Sequence, residues 1–217
     1  MKAMILAAGR GARLKNLTDS IPKPLLKVGG ETLIGHNIKA LAKSGFSDIV
    51  INVAYLANEI IEALGDGSQF GVNIQYSIEV EGGLETGGGI YNALPLLGEK
   101  PFLLISCDIY TEYDYSKLRN QPKELAHLVL IEPLHGNTPD FSLDNDLLTR
   151  KDAKFTYANI GVFHPKLFEQ CKPGFFKLAP VIDEAALIGK VTGEVMDDFW
   201  YNINNEKNLE DLQQYLS

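Results

Sequence analysis

KAMILAAGRGAR, residues 2–13, is a short apolar run of strand length that leads directly into a glycine-rich turn. Gly9 and Gly11 have no side chains, so backbone N–H groups in this turn can approach an anion closely. A buried strand that ends in such a turn is typical of phosphate binding. The stretch therefore predicts a sheet strand with a phosphate-binding loop at its carboxyl end.

Two cations follow the glycines. Arg13 offers a planar fork of donors, and Lys23 offers a compact charge between Pro22 and Pro24, which restrict the backbone on both sides of it. The stretch is neither of the two common phosphate loops, because it lacks a Gly-Lys-Ser/Thr ending and a third glycine at the Rossmann spacing. A lone Gly-x-Gly is more often a plain turn, whereas G-x-G-x-R followed by P-K-P is far more specific.

The composition excludes several classes of protein. The chain has 217 residues, 45% hydrophobic and 22% charged, which is ordinary globular usage. Its net charge of -8 argues against binding to nucleic acid or to an anionic membrane, because both need a basic face. No stretch reaches the roughly twenty apolar residues of a membrane span. The two cysteines lack metal-ligand and disulfide-framework spacing, so we expect reduced thiols in a cytoplasmic protein.

Apolar runs alternate with helical patterns along the first half of the chain. The predicted strands there are residues 2–8, 48–54, 72–78 and 101–107, and the predicted helices are 32–44, 55–64 and 84–97. This βαβ spacing predicts a doubly wound α/β sheet. The second half is less regular, with predicted strands at 125–132, 140–143, 155–164 and 199–203 and helices at 178–188 and 206–216. We predict one domain over residues 1–217.

Two further sequence features indicate contacts with a metal ion or a nucleotide. Asp108 directly follows an apolar strand, at the edge of an α/β sheet where ligands usually lie. Such a carboxylate either caps the next turn or holds Mg²⁺, and the nearby phosphate loop favours the metal. The segment LETGGG, residues 84–89, places three glycines at a predicted helix start, where exposed backbone groups can read a flat base or meet phosphate.

The combination of G-x-G-x-R and P-K-P resembles the sugar-phosphate nucleotidyltransferases, which make nucleoside-diphosphate sugars. Within that family the chain looks most like the uridylyltransferases that act on N-acetylmuramate 1-phosphate, and the likeness covers nearly the whole chain. The segments that carry it are GDGSQFG (65–71), LETGGGI (84–90), ALPLLG (93–98), AHLVL (126–130) and FKLAP (176–180). The resemblance implies a Rossmann-like, doubly wound mixed sheet of the GT-A-like type. A nucleotide-binding half would cover about residues 1–108, and a sugar-binding half about residues 109–217.

The resemblance also implies a reaction and a set of site residues. An oxygen of the sugar 1-phosphate would attack the α-phosphorus of UTP, or of another nucleoside triphosphate, and pyrophosphate would leave. Arg13 and Lys23 would be catalytic, while Asp108 and Asn202 would hold Mg²⁺. The implied nucleotide-binding residues are Ala7, Ala8, Gly9, Gly11, Ala12, Arg13, Lys23, Asn52, Gly87, Gly88 and Ser106. The implied sugar-binding residues are Asp140, Asn159 and Gly161. The protein would be a monomer or a small homo-oligomer that serves cell-wall sugar recycling.

The chain departs from the family pattern at two places. The family usually ends its metal site with W-x-D-x-G, but Asn202 here replaces the Asp and Asn204 replaces the Gly. An Asn offers Mg²⁺ a neutral oxygen, so we expect the ion to be held less tightly. Cys107 stands where the family usually has Gly before Asp108. Two other interpretations stay open: transfer with another base or another sugar or alditol phosphate, and a nucleotide-sugar-binding relative without turnover.

Overall fold

The computed structural model describes residues 1–80, 82–133 and 138–217. The strands are β1 (Ala3–Leu6), β2 (Lys27–Val28), β3 (Glu31–Thr32), β4 (Asp48–Val53), β5 (Asn73–Ile78), β6 (Phe102–Ser106), β7 (Ile109–Thr111), β8 (Ala126–Ile131), β9 (Ser142–Asp144), β10 (Leu147–Thr149), β11 (Thr156–Phe163), β12 (Val191–Val195) and β13 (Trp200–Asn202). The α-helices are α1 (Leu33–Lys43), α2 (Ala57–Leu64), α3 (Glu85–Leu97), α4 (Leu178–Leu187) and α5 (Glu206–Tyr215). Short 3₁₀ helices cover Ala12–Thr18, Lys23–Leu25, Ser68–Phe70, Tyr115–Leu118 and Pro165–Phe168.

Nine of these strands form one mixed sheet in the order β5-β4-β1-β6-β11-β8-β12-β10-β9. The first four in that order are mutually parallel, and the chain order reverses between β1 and β6. Open α/β sheets bind ligands outside the carboxyl ends of their strands at such a reversal point. The glycine loop after β1 and Asp108 after β6 both lie there.

Strands from the second half extend the same sheet. β11 runs antiparallel between β6 and β8, with Ile160 opposite both Ile105 and Val129. β12 lies parallel to β8, and β9 and β10 form an antiparallel pair at the far edge. The first residues of β11 therefore lie at the same edge of the sheet as the carboxyl end of β6.

Helices cover both faces, as expected for a doubly wound sheet. In β4, Ile49 and Ile51 face the cluster built on α1 and α2, whereas Val50 faces the cluster built on α3 and α4. Burial on both faces explains why this strand is a continuous apolar run rather than an alternating one. The predicted fold class is therefore confirmed: a Rossmann-like mixed sheet with helices on both faces. Within the parts of the chain that the structure describes, no helix is long and apolar enough to span a bilayer.

The end of the chain returns to support its beginning. Leu212 of α5 and Ile203 are buried in one cluster with Leu14 and Leu26, which lie before and after Lys23 in the sequence. The side chain of Gln213 accepts a hydrogen bond from the Gly29 N–H at 2.9 Å. The C-terminal helix thus packs behind the segment that carries the glycine loop and Lys23.

The predictions for the second half of the chain were incomplete. The strand expected at residues 140–143 is Ser142–Asp144, and Phe141 makes only an isolated bridge with Phe155. We did not predict β7, β10 or β12. The sequence of β12, VTGEV, is short and contains a glycine. A Cβ at Gly193 would lie 3.0 Å from the Leu128 carbonyl oxygen, so close packing beside β8 explains the glycine.

Candidate active site

A cavity of about 720 Å³ opens at the carboxyl ends of β1, β4, β5 and β6. The glycine loop, Lys23 and the Ser106–Asp108 segment line one side of it. Asn52, Glu79 and the segment 82–86 line the other side. The polar ends of four neighbouring parallel strands thus meet in one cavity at the reversal point.

The glycine loop has the geometry of a tight turn. Gly11 has φ +69°, and its carbonyl oxygen accepts the Leu14 N–H at 2.9 Å, which begins the 3₁₀ helix after it. A Cβ at Gly11 would lie 3.0 Å from Cβ of Lys23, so both conformation and space favour glycine. Gly9, Ala8, Ala12 and the exposed Arg13 line the cavity, whereas Ala7 is buried beneath it.

Lys23 and Asp108 form an ion pair at the β6 end of the cavity. Lys23 Nζ lies 2.6 Å from Oδ2 of Asp108, and the two side chains are 10% and 23% exposed. Oδ1 of Asp108 accepts the hydroxyl hydrogen of Ser106, also at 2.6 Å. Three predicted residues are therefore in direct contact, and both carboxylate oxygens already have a protein donor.

Asn37 of α1 fixes the turn that carries Asp108. Its buried side-chain amide donates to the carbonyl oxygens of Cys107 and Ile109 at 3.3 and 3.1 Å, and to that of Leu33 in its own helix. Burial, and next the charge of Asp108, raise the pKa of the Cys107 thiol to about 12. Cys107 is therefore a neutral packing residue at neutral pH.

A second polar network lies at the β5 end. Oδ1 of Asn52 accepts the Ala7 N–H at 2.9 Å, and its amide donates to Oε1 of Glu79 at 2.6 Å. Oε2 of Glu79 accepts the Leu84 N–H at 2.8 Å. Asn52 and Glu79 are 3% and 7% exposed, so these bonds form in a nearly dry environment. The network joins the glycine loop to the start of α3.

The three glycines of α3 are buried rather than exposed to the cavity. A Cβ at Gly87 would lie 2.5 Å from the Phe176 ring, and one at Gly88 would lie 2.1 Å from the Gly174 carbonyl oxygen. The Gly88 N–H donates to the Phe176 carbonyl oxygen at 3.0 Å. Close packing of a loop from the second half accounts for Gly87 and Gly88, and the cavity wall is instead formed by Leu84, Glu85 and Thr86.

Of the predicted metal residues, Asp108 lies in the turn before β7 and Asn202 lies on β13, the strand that pairs with β7. Asn202 on β13 pairs with Ile109 on β7, and the following Ile203 N–H donates to the Asp108 carbonyl oxygen at 2.8 Å. Oδ1 of Asn202 is buried and has no hydrogen-bond partner within the described residues. Asn202 does not line the cavity, whereas Asn204 does.

The acidic content of the site limits how a metal could be held. Within residues 1–80, 82–133 and 138–217, no three His, Cys, Asp or Glu side chains are close enough to form a metal cluster. Mg²⁺ is commonly held by one or two carboxylates together with substrate phosphates and water, so the Asp108 carboxylate suits this ion. The unpartnered amide oxygen of Asn202 is a ligand of the right type, but it does not line the cavity. Enzymes that transfer nucleotidyl groups generally use such a divalent metal.

None of the predicted sugar-binding residues lines this cavity. Asn159 has φ +57° at an irregularity of β11, next to the carboxyl end of β6. Asp140 accepts the Tyr157 N–H at 3.1 Å, further along the same edge. Gly161 is buried within the sheet, where a Cβ would lie 2.9 Å from the His127 carbonyl oxygen.

Sequence reasoning missed several lining residues. Glu79 directly follows a strand, the same signal that identified Asp108, but it was assigned only to a loop. Tyr55 follows β4, and its ring lies 5.3 Å from the guanidinium of Arg10. No local sequence signal identified Phe175, because hydrogen bonds between its neighbour Phe176 and α3 bring it to the cavity.

Comparisons with known proteins agree with this arrangement. A family model described as "Nucleotidyl transferase" matches residues 2–139. The N-acetylmuramate alpha-1-phosphate uridylyltransferase of Neisseria meningitidis serogroup B is 43% identical, over 98% of this chain and 97% of that protein. The protein of the same name from Caulobacter vibrioides is 32% identical, over 94% of this chain and 91% of that protein.

A solved structure shows the same fold at low identity. It is provisionally described as a glucose-1-phosphate thymidylyltransferase from Bacillus anthracis, and it superposes with a TM-score of 0.86 at 22% identity. The match covers 100% of this chain and 95% of that chain. At this identity the likeness concerns the fold alone.

Proposed function

The chain belongs to the nucleotidyl transferase family, and on this premise we propose that it transfers UMP from UTP to N-acetylmuramate 1-phosphate. The observation that carries the proposal is the Lys23–Asp108 pair beside the glycine loop, at the reversal point of the sheet. The identity to the Neisseria relative over nearly the full length supports the choice of base and sugar. The reaction would serve cell-wall sugar recycling in the cytoplasm, in a monomer or small homo-oligomer.

The proposed reaction is an in-line displacement. A phosphate oxygen of the sugar 1-phosphate forms a bond to the α-phosphorus of UTP, and the bond from that phosphorus to the bridging oxygen breaks. Pyrophosphate leaves with that electron pair. No covalent enzyme intermediate is needed, so positioning and charge stabilisation supply the catalysis.

The chain's own residues act on the phosphates. The Gly9–Gly11 backbone gives the triphosphate close access to N–H donors. Lys23 leaves Asp108 and moves onto a phosphate oxygen, and the exposed Arg13 neutralises charge further out. Asp108 and Asn202 would hold Mg²⁺, which when bound offsets the negative charge of the triphosphate.

The sugar end of the proposal rests on Asp140 and Asn159. Both lie at the sheet edge where β6 ends and β11 begins, beyond the phosphate end of the cavity. A non-glycine residue with positive φ is more frequent at functional sites than elsewhere, which supports a substrate contact for Asn159. Gly161 stays a prediction, since packing against β8 already explains it.

The deciding experiment measures pyrophosphate release by the purified protein with a panel of nucleoside triphosphates and sugar 1-phosphates. We expect the fastest release with UTP and N-acetylmuramate 1-phosphate, and none without a divalent metal. Faster release with another base, or with another sugar or alditol phosphate, would reassign the substrate. Nucleotide binding without release from any pair would favour a binding protein that has lost turnover.

A further inference from the structure

Phe175 is an exposed aromatic residue at the wall of the polar cavity. It lines the cavity although it belongs to the second half of the chain, and it is 68% exposed. Tyr55, the other aromatic residue of this wall, already uses its ring for Arg10 and its hydroxyl for the carbonyl oxygens of Thr18 and Asp19. An exposed phenylalanine ring in a substrate cavity is the kind of surface that a flat ligand covers.

The backbone around Phe175 is fixed to α3. The neighbouring Phe176 N–H donates to the Leu84 carbonyl oxygen at 3.2 Å, and the Phe176 carbonyl oxygen accepts the Gly88 N–H at 3.0 Å. The Phe176 ring packs edge-on against Tyr91, with centroids 6.3 Å apart. Because its neighbour is held on both sides, the position of Phe175 is set before any ligand binds.

The position of this wall indicates which part of a nucleotide it would meet. The phosphate-binding groups Lys23 and Asp108 lie at the end of β6, whereas Phe175 is tied to Leu84, which hydrogen-bonds to Glu79 after β5. Three strand spacings separate β6 from β5 in the sheet, a distance of about 14 Å. A nucleoside triphosphate with its phosphates at β6 therefore extends its base toward β5 and Phe175.

We propose that Phe175 stacks on the nucleobase of the bound nucleoside triphosphate and supplies a substantial part of nucleotide affinity. This inference rests on the proposed function, because that function places the triphosphate at Lys23 and Asp108. An aromatic face accepts any base, so Phe175 contributes to affinity more than to the choice among bases. The choice among bases then depends on other groups of the cavity wall, such as the backbone of the segment 82–86.

Direct binding measurements test the proposal without requiring turnover. The affinity for UTP with MgCl₂ is measured by calorimetry for wild type, Phe175→Ala, Phe175→Leu and Phe175→Tyr. Leu187→Ala is the control, since Leu187 is 86% exposed on α4 and does not line the cavity. We expect Ala and Leu to weaken binding by about tenfold or more, the scale of a lost stacking contact, and Tyr to stay within threefold of wild type. The control should bind as wild type.

Kinetics and folding give two further readouts. The KM for UTP should rise with the loss of affinity, while the KM for the sugar 1-phosphate and kcat at saturation stay within threefold. The melting temperature of each variant should match wild type, because Phe175 is exposed. Wild-type affinity in Phe175→Leu, or a rise confined to the KM of the sugar 1-phosphate, would overturn the proposal.

The outcomes separate this inference from the proposed function. If Phe175→Ala loses UTP binding but wild type releases no pyrophosphate, the stacking proposal is supported and the proposed transfer reaction is refuted. If wild type catalyses transfer and Phe175→Ala binds UTP as tightly as wild type, the transfer reaction is supported and the stacking proposal is refuted.

Discussion

The two ends of the cavity are built in different ways. At the β5 end, Asn52 and Glu79 are almost fully buried and bond to each other and to backbone N–H groups. At the β6 end, Lys23 and Asp108 form a partly exposed ion pair. The first set of contacts is complete when the protein folds, whereas the second must exchange partners when phosphates arrive. Substitutions at the β5 end should therefore lower stability, and substitutions at the β6 end should lower turnover.

The largest expected effect is at the β6 end. Lys23→Ala should lower kcat by about 10²-fold or more, because it removes a cation fixed beside the reacting phosphates. The measurement is steady-state pyrophosphate release, with unfolding by urea as a check on the fold. Lys27→Ala, at an exposed lysine on the nearby β2, should remain within threefold of wild type. A folded Lys23→Ala variant with nearly wild-type kcat would contradict the expectation that substitutions at the β6 end lower turnover.

The opposite phenotype is expected at the β5 end. Glu79→Ala leaves the buried Asn52 amide and Leu84 N–H without their acceptors, so the free energy of unfolding should fall by about 2–4 kcal/mol. Urea unfolding measures this loss, and Glu99→Ala at an exposed position is the matched control. If Glu79→Ala is as stable as wild type but inactive, Glu79 contacts substrate and the β5 end is not merely structural.

A metal titration sharpens the description of the β6 end. Asn202→Asp places a second carboxylate near Asp108, and we expect it to lower the Mg²⁺ concentration for half-maximal turnover by about tenfold, or 1.4 kcal/mol. Asn204→Asp is the comparison variant, since Asn204 lines the cavity and Asn202 does not. A lower requirement only in Asn204→Asp would assign the second metal position to Asn204.

The smallest effect concerns the two thiols. Burial raises the pKa of the Cys107 thiol to about 12, so the thiol stays protonated at pH 8 and reacts slowly. Cys171 is only half-buried, although desolvation also raises its pKa. Native alkylation followed by mass spectrometry should therefore label Cys171 well before Cys107, with activity within twofold of the unlabelled protein. Equal labelling rates would show that the β6 end opens without substrate.

Most of the fold could be predicted because its signals are local. The DIVINV run of β4 and the periodicity of α1 indicate their elements without reference to distant residues. The hydroxyl of Thr32 accepts the Gly35 N–H at the start of α1, and Gly45 with φ +80° follows its end, so both ends of this helix are set by residues close in the sequence. The strand β12 was missed because it is short and interrupted by Gly193 and Glu194, so that pairing with β8 is needed to recognise it.

The residues of the site divide in the same way, into those with a local sequence signal and those placed by long-range contacts. Asp108 could be predicted because it follows the apolar strand β6, Lys23 because the P-K-P motif identifies it, and Ser106 through the family resemblance. The structure brings the three into contact. The contact of Phe176 with Gly88 could not, since it joins two segments far apart in the sequence. The glycines at 87–89 were read as exposed backbone, but Gly87 and Gly88 provide room for that distant loop, and Gly89 provides room for Glu79.

The packing of the second-half loop on α3 also limits how this cavity can evolve. A methyl group at position 88 would lie 2.1 Å from the Gly174 carbonyl oxygen, and one at position 87 would meet the Phe176 ring. A single substitution at either position therefore has to be accompanied by movement of the loop at 174–176. New base preferences are accessible mainly through paired changes in both segments, and a directed-evolution library on this chain should randomise the two together.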